Sequence, residues 1–236
     1  FWLNTNGESC LKIAQSIPWS IIRKEGQEVE NLESLFLGKS RLLEGDKEDV
    51  YFKNLKSRFE YLTHKYNLEH SLFETVEFFK HRPDNFPTIR WSQLANLYAK
   101  HHNLFSKLIV SNSVKSIYEI FEVSVSTYWQ THYTFDKESQ KKTLSKSFID
   151  LIIINTIIPF QFAYSKSLGK EISESLLNFI KEVSPESNAI IQKFNSFKII
   201  SKNAFETQSL LQLKNEYCNR SRCLECAIGI ELLKNN

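Results

Sequence analysis

Few breaks interrupt this chain. Six glycines and five prolines are spread over 236 residues, and between them apolar side chains recur at three- and four-residue steps, the spacing that lines one face of an α-helix. Phe52, Leu55, Phe59, Leu62 and Tyr66 make one such stripe on a helix that starts near Asp46. Further helices are predicted at residues 32–37, 89–101, 114–121, 172–183, 189–197, 205–217 and 223–233. Thr5 with Glu8, and Asn203 with Glu206, have the spacing in which a side chain caps a helix start and an acid three residues on answers it. Pro18, Pro87 and Pro185 stand where a helix can begin, because a first-turn proline loses no hydrogen bond. No alternating run argues for a sheet, so the expected class is all-α.

The most apolar stretch, FIDLIIINTIIPFQFAY at residues 148–164, is the natural centre of such an array. Its seventeen residues fall short of the roughly 20 a membrane span needs, and Asp150, Asn155, Pro159 and Gln161 are each costly in lipid. It reads as a buried central helix kinked at Pro159, with no membrane as partner. Ahead of it, YTFDKESQKKTLSKS at residues 133–147 is polar and lysine-rich, a surface loop and a sub-boundary within one helical domain spanning 1–236. Hydrophobic residues at 42% and charged residues at 24% suit a folded globular chain. A net charge of +3 does not by itself require a polyanionic partner. The chain has no methionine and opens on FWLNTNGES, which marks a fragment or a processed product; no basic, apolar, small-residue leader is visible, and a cytoplasmic location is expected.

Three of the four cysteines crowd together as C-x4-C-x2-C at Cys218, Cys223 and Cys226. Two thiolates of a C-x2-C pair at a helix start can face one ion, and a third from the preceding turn closes most of a tetrahedral shell. Arg220, Arg222 and the start of a helix near Cys223 favour the thiolate form. The fourth partner is left among Cys10, the histidines at 64, 70, 81, 101, 102 and 132, and a water. Zinc, an iron–sulfur centre, and three packed thiols without metal all remain open.

Two other stretches offer groups for anions or nucleic acid. In HRPDNFPTIRWSQLA, residues 81–95, Arg82, Arg90 and Gln93 lie near a helix start where phosphate or carboxylate could be held. The commoner alternative pairs these arginines inside the protein while Phe86, Ile89 and Leu94 enter the core. In YWQTHYTF, residues 128–135, aromatics around His132 precede Lys137, Lys141 and Lys142, a combination that can stack and grip a single strand or simply form core rings beside a charged loop. With Arg220 and Arg222 these are the candidate nucleic-acid contacts. No phosphate loop, dinucleotide fingerprint, nucleophile elbow or zinc-protease pattern is present.

Taken in order, AQSIPW (14–19), RPDNFPTIRWSQLA (82–95), YWQTHYTFDKESQKK (128–142), INTIIPFQFAY (154–164) and AFETQSLLQLKNEYCNRSRCLECAIG (204–229) resemble a bacterial family, domain of unknown function 2851, over essentially the whole chain. The resemblance implies that the segment corresponds to the family's C-terminal part, with a further N-terminal region as its first partner. It implies the three clustered cysteines but no cysteine at the place of Cys10, which turns the search for a fourth ligand to His132 or His64. It implies no activity. The expectation is a non-catalytic helical binding or scaffold domain with a metal-stapled C-terminal hairpin, contacting nucleic acid. The alternatives are an enzyme with an iron–sulfur or open zinc site, and a metal-free protein-interaction module.

Overall fold

A computed structural model describes residues 7–68, 76, 78, 85–138 and 143–234. Thr5 therefore lies outside the described residues, as do Arg82, Lys141, Lys142, His70 and His81. The chain divides into two compact units, Phe1–Phe105 with Glu119–Leu144, and Ser106–Tyr118 with Ser145–Asn236. The architecture is all-α, with one small ribbon of strands.

In the first unit α1 (Gly7–Ser16), α2 (Trp19–Glu25), α3 (Val29–Lys39), α4 (Val50–Lys65) and α5 (Pro87–Lys100) surround a core that takes in Leu32, Leu35, Phe36, Leu55, Leu62, Ile89 and Trp129. Pro18 stands at the cap of α2 and Pro87 opens α5. The stripe that begins with Phe52 lies on α4, whose cap is Asp49: its carboxylate accepts from the backbone N–H of Phe52 at 2.7 Å. The helix enclosed on every side is α3, buried from Leu32 to Lys39. It lies close to α4 at Gly38, where a Cβ would fall 2.3 Å from the Phe59 ring. On its other flank Phe36 stacks on Trp91 of α5, ring centres 5.1 Å apart.

The short α6 (Leu104–Val110), α7 (Val114–Ile120) and α8 (Thr127–Thr131) lead into a hairpin of β1 (His132–Thr134) and β2 (Lys137–Glu138), antiparallel, pairing His132 with Glu138 and Thr134 with Lys137. The polar stretch expected as a plain loop thus begins as a ribbon, and Thr143 forms one further bridge to Ser124.

The second unit holds the apolar helix. Ser145 caps α9 (Lys146–Ile152), which runs through a π-turn (Ile153–Ile157) into α10 (Ile158–Ser167). The wider turn precedes Pro159, so the helix absorbs its missing N–H and continues instead of breaking. The expected central burial holds for Ile149, Ile152, Ile153, Ile154 and Ile157, whereas Phe160, Phe162 and Tyr164 are exposed. A segment apolar all round its axis carries no polar stripe to tell its core half from its open half. Its polar residues are put to internal use: Tyr118 donates to Asp150 at 2.6 Å, and the Gln161 amide donates to the carbonyls of Leu108 and Ser111 at 2.6 and 2.7 Å. Among the described residues, Lys146–Ser167 is the one helix long and apolar enough to cross a membrane by length and composition.

There follow α11 (Ser173–Glu182), α12 (Ala189–Ser196) and α13 (Ala204–Gln212). Asn203 caps α13 through the N–H of Glu206, and the Glu206 carboxylate reaches back to the N–H of Lys202 at 2.7 Å. Pro185 opens no helix. Asn188 starts α12 instead, taking the amides of Ile190 and Ile191 at 3.1 and 3.0 Å. Beyond α13 come a π-turn (Leu213–Cys218), a 3-10 turn (Cys223–Glu225) and α14 (Ala227–Lys234), so the helix expected from 223 starts four residues later.

Candidate functional site

The most elaborate polar constellation lies inside the first unit, where α3, α4, α5 and α8 meet. Glu33 of α3 is fully buried. Ser126 donates to one of its carboxylate oxygens at 2.7 Å, and the Tyr51 hydroxyl donates to the other. Ser92 of α5 takes the backbone N–H of Ser126 at 3.0 Å, holding the start of α8 in place. Burial pushes the Glu33 carboxyl above the usual carboxylate range, against the pull of the hydroxyls of Ser92, Tyr51 and Ser126. Burial and the neighbouring carboxylate likewise push the Tyr51 phenol upward.

An aromatic ladder runs outward from this carboxyl. Tyr51 stacks on Tyr128 with centres 4.3 Å apart, and Tyr128 stacks on His132 at 4.2 Å, the ring planes within 14° and 6° of parallel. The Tyr128 hydroxyl donates to Asp49 at 2.9 Å, and burial and that carboxylate raise its pKa. His132 Nδ1 lies 3.0 Å from the Thr131 hydroxyl and 3.1 Å from the Tyr128 carbonyl. The result is a tied frame: each hydroxyl has an acceptor, and the carboxyl at its root is sealed from solvent. The sequence singled out His132 and its aromatic neighbours but missed Glu33, Tyr51 and Asp49.

Arg90 and Gln93, read as anion-binding candidates, lie in the interior. Arg90 donates to Gln93 at 3.0 Å and to Asn85 at 2.5 Å, fastening the first turns of α5. Arg90 and Gln93 are 6% and 1% exposed. Arg82, Lys141 and Lys142 lie outside the described residues.

The C-terminal cysteines belong to the second unit. Cys218 ends a π-turn and is exposed, Cys223 opens the 3-10 turn and is exposed, and Cys226 is partly buried. Among the described residues no group of three His, Cys, Asp or Glu side chains is disposed to hold a metal. The proposed fourth ligand, His132, belongs to the first unit, as do Cys10, His64, His101 and His102. The turn has other fastenings. A Cβ on Gly229 would fall 2.2 Å from the Cys223 carbonyl oxygen, so α14 lies directly on that backbone. Arg222 pairs with Glu225 and covers the Tyr217 ring, and Arg220 pairs with Glu216 at 3.0 Å. Both arginines, nucleic-acid candidates in the sequence, are thus matched by acids one turn away.

Most of the large exposed apolar side chains lie in the second unit. Phe160, Phe162, Tyr164 and Leu168 lie along and just beyond α10, Phe197, Ile199 and Ile200 follow α12, and Ile228, Ile230, Leu232 and Leu233 lie on α14.

Comparison with known proteins gives one match, to a family model described as "Protein of unknown function (DUF2851)", over residues 1–189. The cysteine turn lies beyond the matched segment. No curated protein and no solved structure matches the chain.

Proposed function

We infer, from the premise that this chain belongs to the DUF2851 family, that it is a helical binding domain whose second unit docks a protein partner. The observation that carries this reading is that the second unit holds most of the large exposed apolar side chains, among them Phe160, Phe162, Tyr164, Leu168, Ile228, Leu232 and Leu233. Scattered apolar residues are normal on a surface, but a concentration of large ones is characteristic of interaction sites. A protein partner is favoured over nucleic acid because Arg220 and Arg222 are spent on Glu216 and Glu225, and Arg90 and Gln93 are buried. The sealed Glu33 frame supports a rigid scaffold in the first unit.

The test is dye binding and self-association of the purified chain. The folded chain should enhance the fluorescence of anilinonaphthalene sulfonate. The pairs Phe160→Asp with Phe162→Asp, and Ile228→Asp with Leu232→Asp, should each lower that signal and any concentration-dependent association, leaving the melting temperature within about 2 °C, as surface changes do. A cooperatively folded chain that binds no dye and stays monomeric at high concentration overturns the reading. Salt-dependent binding of a DNA or RNA oligonucleotide would turn it back to nucleic acid.

A further inference from the structure

The groove between α12 and the π-turn ending at Cys218 has a composition that a protein-docking face does not require. Its volume is 410 Å³. Ala189, Ile190, Phe194 and Phe197, at helical steps along one face of α12, form its apolar lining. Lys193 on the same face, with Lys214 and Cys218 four residues apart across the groove, complete it. Two cations therefore border an apolar trough that, among the described residues, no acid lines. Neither lysine has an ion pair among the described residues, whereas Arg220 and Arg222 nearby are both matched. All the lining residues but Ala189 lie beyond the residues that the family model matches.

We propose that this groove binds an anionic amphiphile, a free fatty carboxylate of medium chain length, with its alkyl chain on Ile190, Phe194 and Phe197 and its carboxylate met by Lys193 and Lys214. The volume falls in the range of small-ligand pockets. The polarity of the lining sets the ligand's polarity: an alkyl chain alone leaves the two ammonium groups unused, and a cationic amphiphile is repelled by both. Each further methylene covered should tighten binding roughly fourfold until the trough is filled. The inference is independent of the protein-docking reading and stands if that reading fails.

Cys218 supplies a built-in reporter, since it lines the groove while Cys223 and Cys226 do not. The probe is decanoate below its micelle concentration, added to the full chain during alkylation by uncharged iodoacetamide, with each cysteine peptide quantified by mass spectrometry. Alkylation of Cys218 should slow at least fivefold at saturation while Cys223 and Cys226 react at their former rates. Octanoate, two methylenes shorter, should need roughly sixteenfold more ligand for half effect, and decyltrimethylammonium should give no protection. The double variant Lys193→Gln with Lys214→Gln should raise the decanoate requirement at least tenfold with the circular dichroism spectrum unchanged. Because both lysines are solvent-accessible, single Lys193→Gln and Lys214→Gln variants serve if the double variant loses its fold. Undiminished Cys218 alkylation at every decanoate concentration overturns the proposal. So does equal slowing of all three cysteines, and so does equal protection by the cationic amphiphile.

Discussion

Glu33 shows at the scale of one residue why a buried carboxyl is a pH probe. Its pKa is raised, burial being the largest cause, so its contribution to stability is fully present below the unfolded value of about 4.3 and is lost as pH rises through the higher folded value. Glu33→Gln removes that titration while keeping a side chain that can meet the Tyr51 and Ser126 hydroxyls, which rotate to donate or accept. The variant should therefore melt higher than the parent at pH 8, by roughly 2–4 °C for each kcal/mol recovered, and the two melting curves should converge towards pH 4. Thermal melts across that range check the sign, and a Glu33→Gln protein that melts lower at pH 8 shows the carboxylate to be net stabilising. Glu25 titrates in the opposite sense: burial opposes its ionisation, but hydrogen bonds from Lys65, Tyr66 and Asn31 hold its pKa below the usual range. The stability it supplies is present above its unfolded pKa and is lost as pH falls through the folded one, so Glu25→Gln should weaken the tie of α2 to α4 by about 1–2 kcal/mol at pH 7 and lose that deficit in acid. Equal parent and variant melting temperatures at pH 7 would count against it. Neither role was legible in the sequence, because a glutamate's burial depends on what packs against it from elsewhere in the chain.

Among the elements, the closest approach is between α3 and α4 at Gly38. A methyl group there must displace the Phe59 ring, so Gly38→Ala should cost roughly 1–3 kcal/mol despite its better helix propensity. In a Phe59→Ala background the same change should cost much less, and a double-mutant cycle in urea measures the difference. Additive costs would place the strain elsewhere. The helical stripe of α4 and the cap at Asn203 were readable from spacing alone, because a cap and its amides lie within one turn of sequence, whereas the start of α4 was expected near Asp46 and its cap is Asp49. What spacing could not show is how far each helix is enclosed within its own unit: in the first unit α3, with two glutamates and a lysine in its sequence, is buried from Leu32 to Lys39, while in the second the apolar helix buries Ile149, Ile152, Ile153, Ile154 and Ile157 and exposes Phe160, Phe162 and Tyr164. At the cysteine turn, C-x4-C-x2-C has ligand spacing, but spacing did not show that a π-turn and then a 3-10 turn carry these residues.

For the molecule as a whole, the chain's route matters more than its length. The second unit is assembled from two separated segments, Ser106–Tyr118 and Ser145–Asn236, and the crossings at 105/106 and 118/119 fall inside α6 and α7. No glycine, proline or charge run marks those points, so a composition scan passes over them. The first segment is not decoration. It supplies Tyr118, which donates to Asp150, and the Leu108 and Ser111 carbonyls, which take both hydrogens of the Gln161 amide. Asp150 and Gln161 are each more than 90% buried, and a buried polar group stripped of its partner costs on the order of 1–3 kcal/mol. A chain cut to residues 145–236 loses these partners together and should unfold in a broad, non-cooperative transition with weakened helical circular dichroism. A chain of residues 103–236 keeps them and should melt cooperatively, although it carries residues 119–144 without the rest of their unit. The variant Gln161→Ala, with Tyr118→Phe, in the longer chain should move its behaviour towards that of the short one. Cooperative melting of 145–236 at the temperature of the longer chain would mean that the borrowed segment rests on an independently stable unit rather than helping to build it.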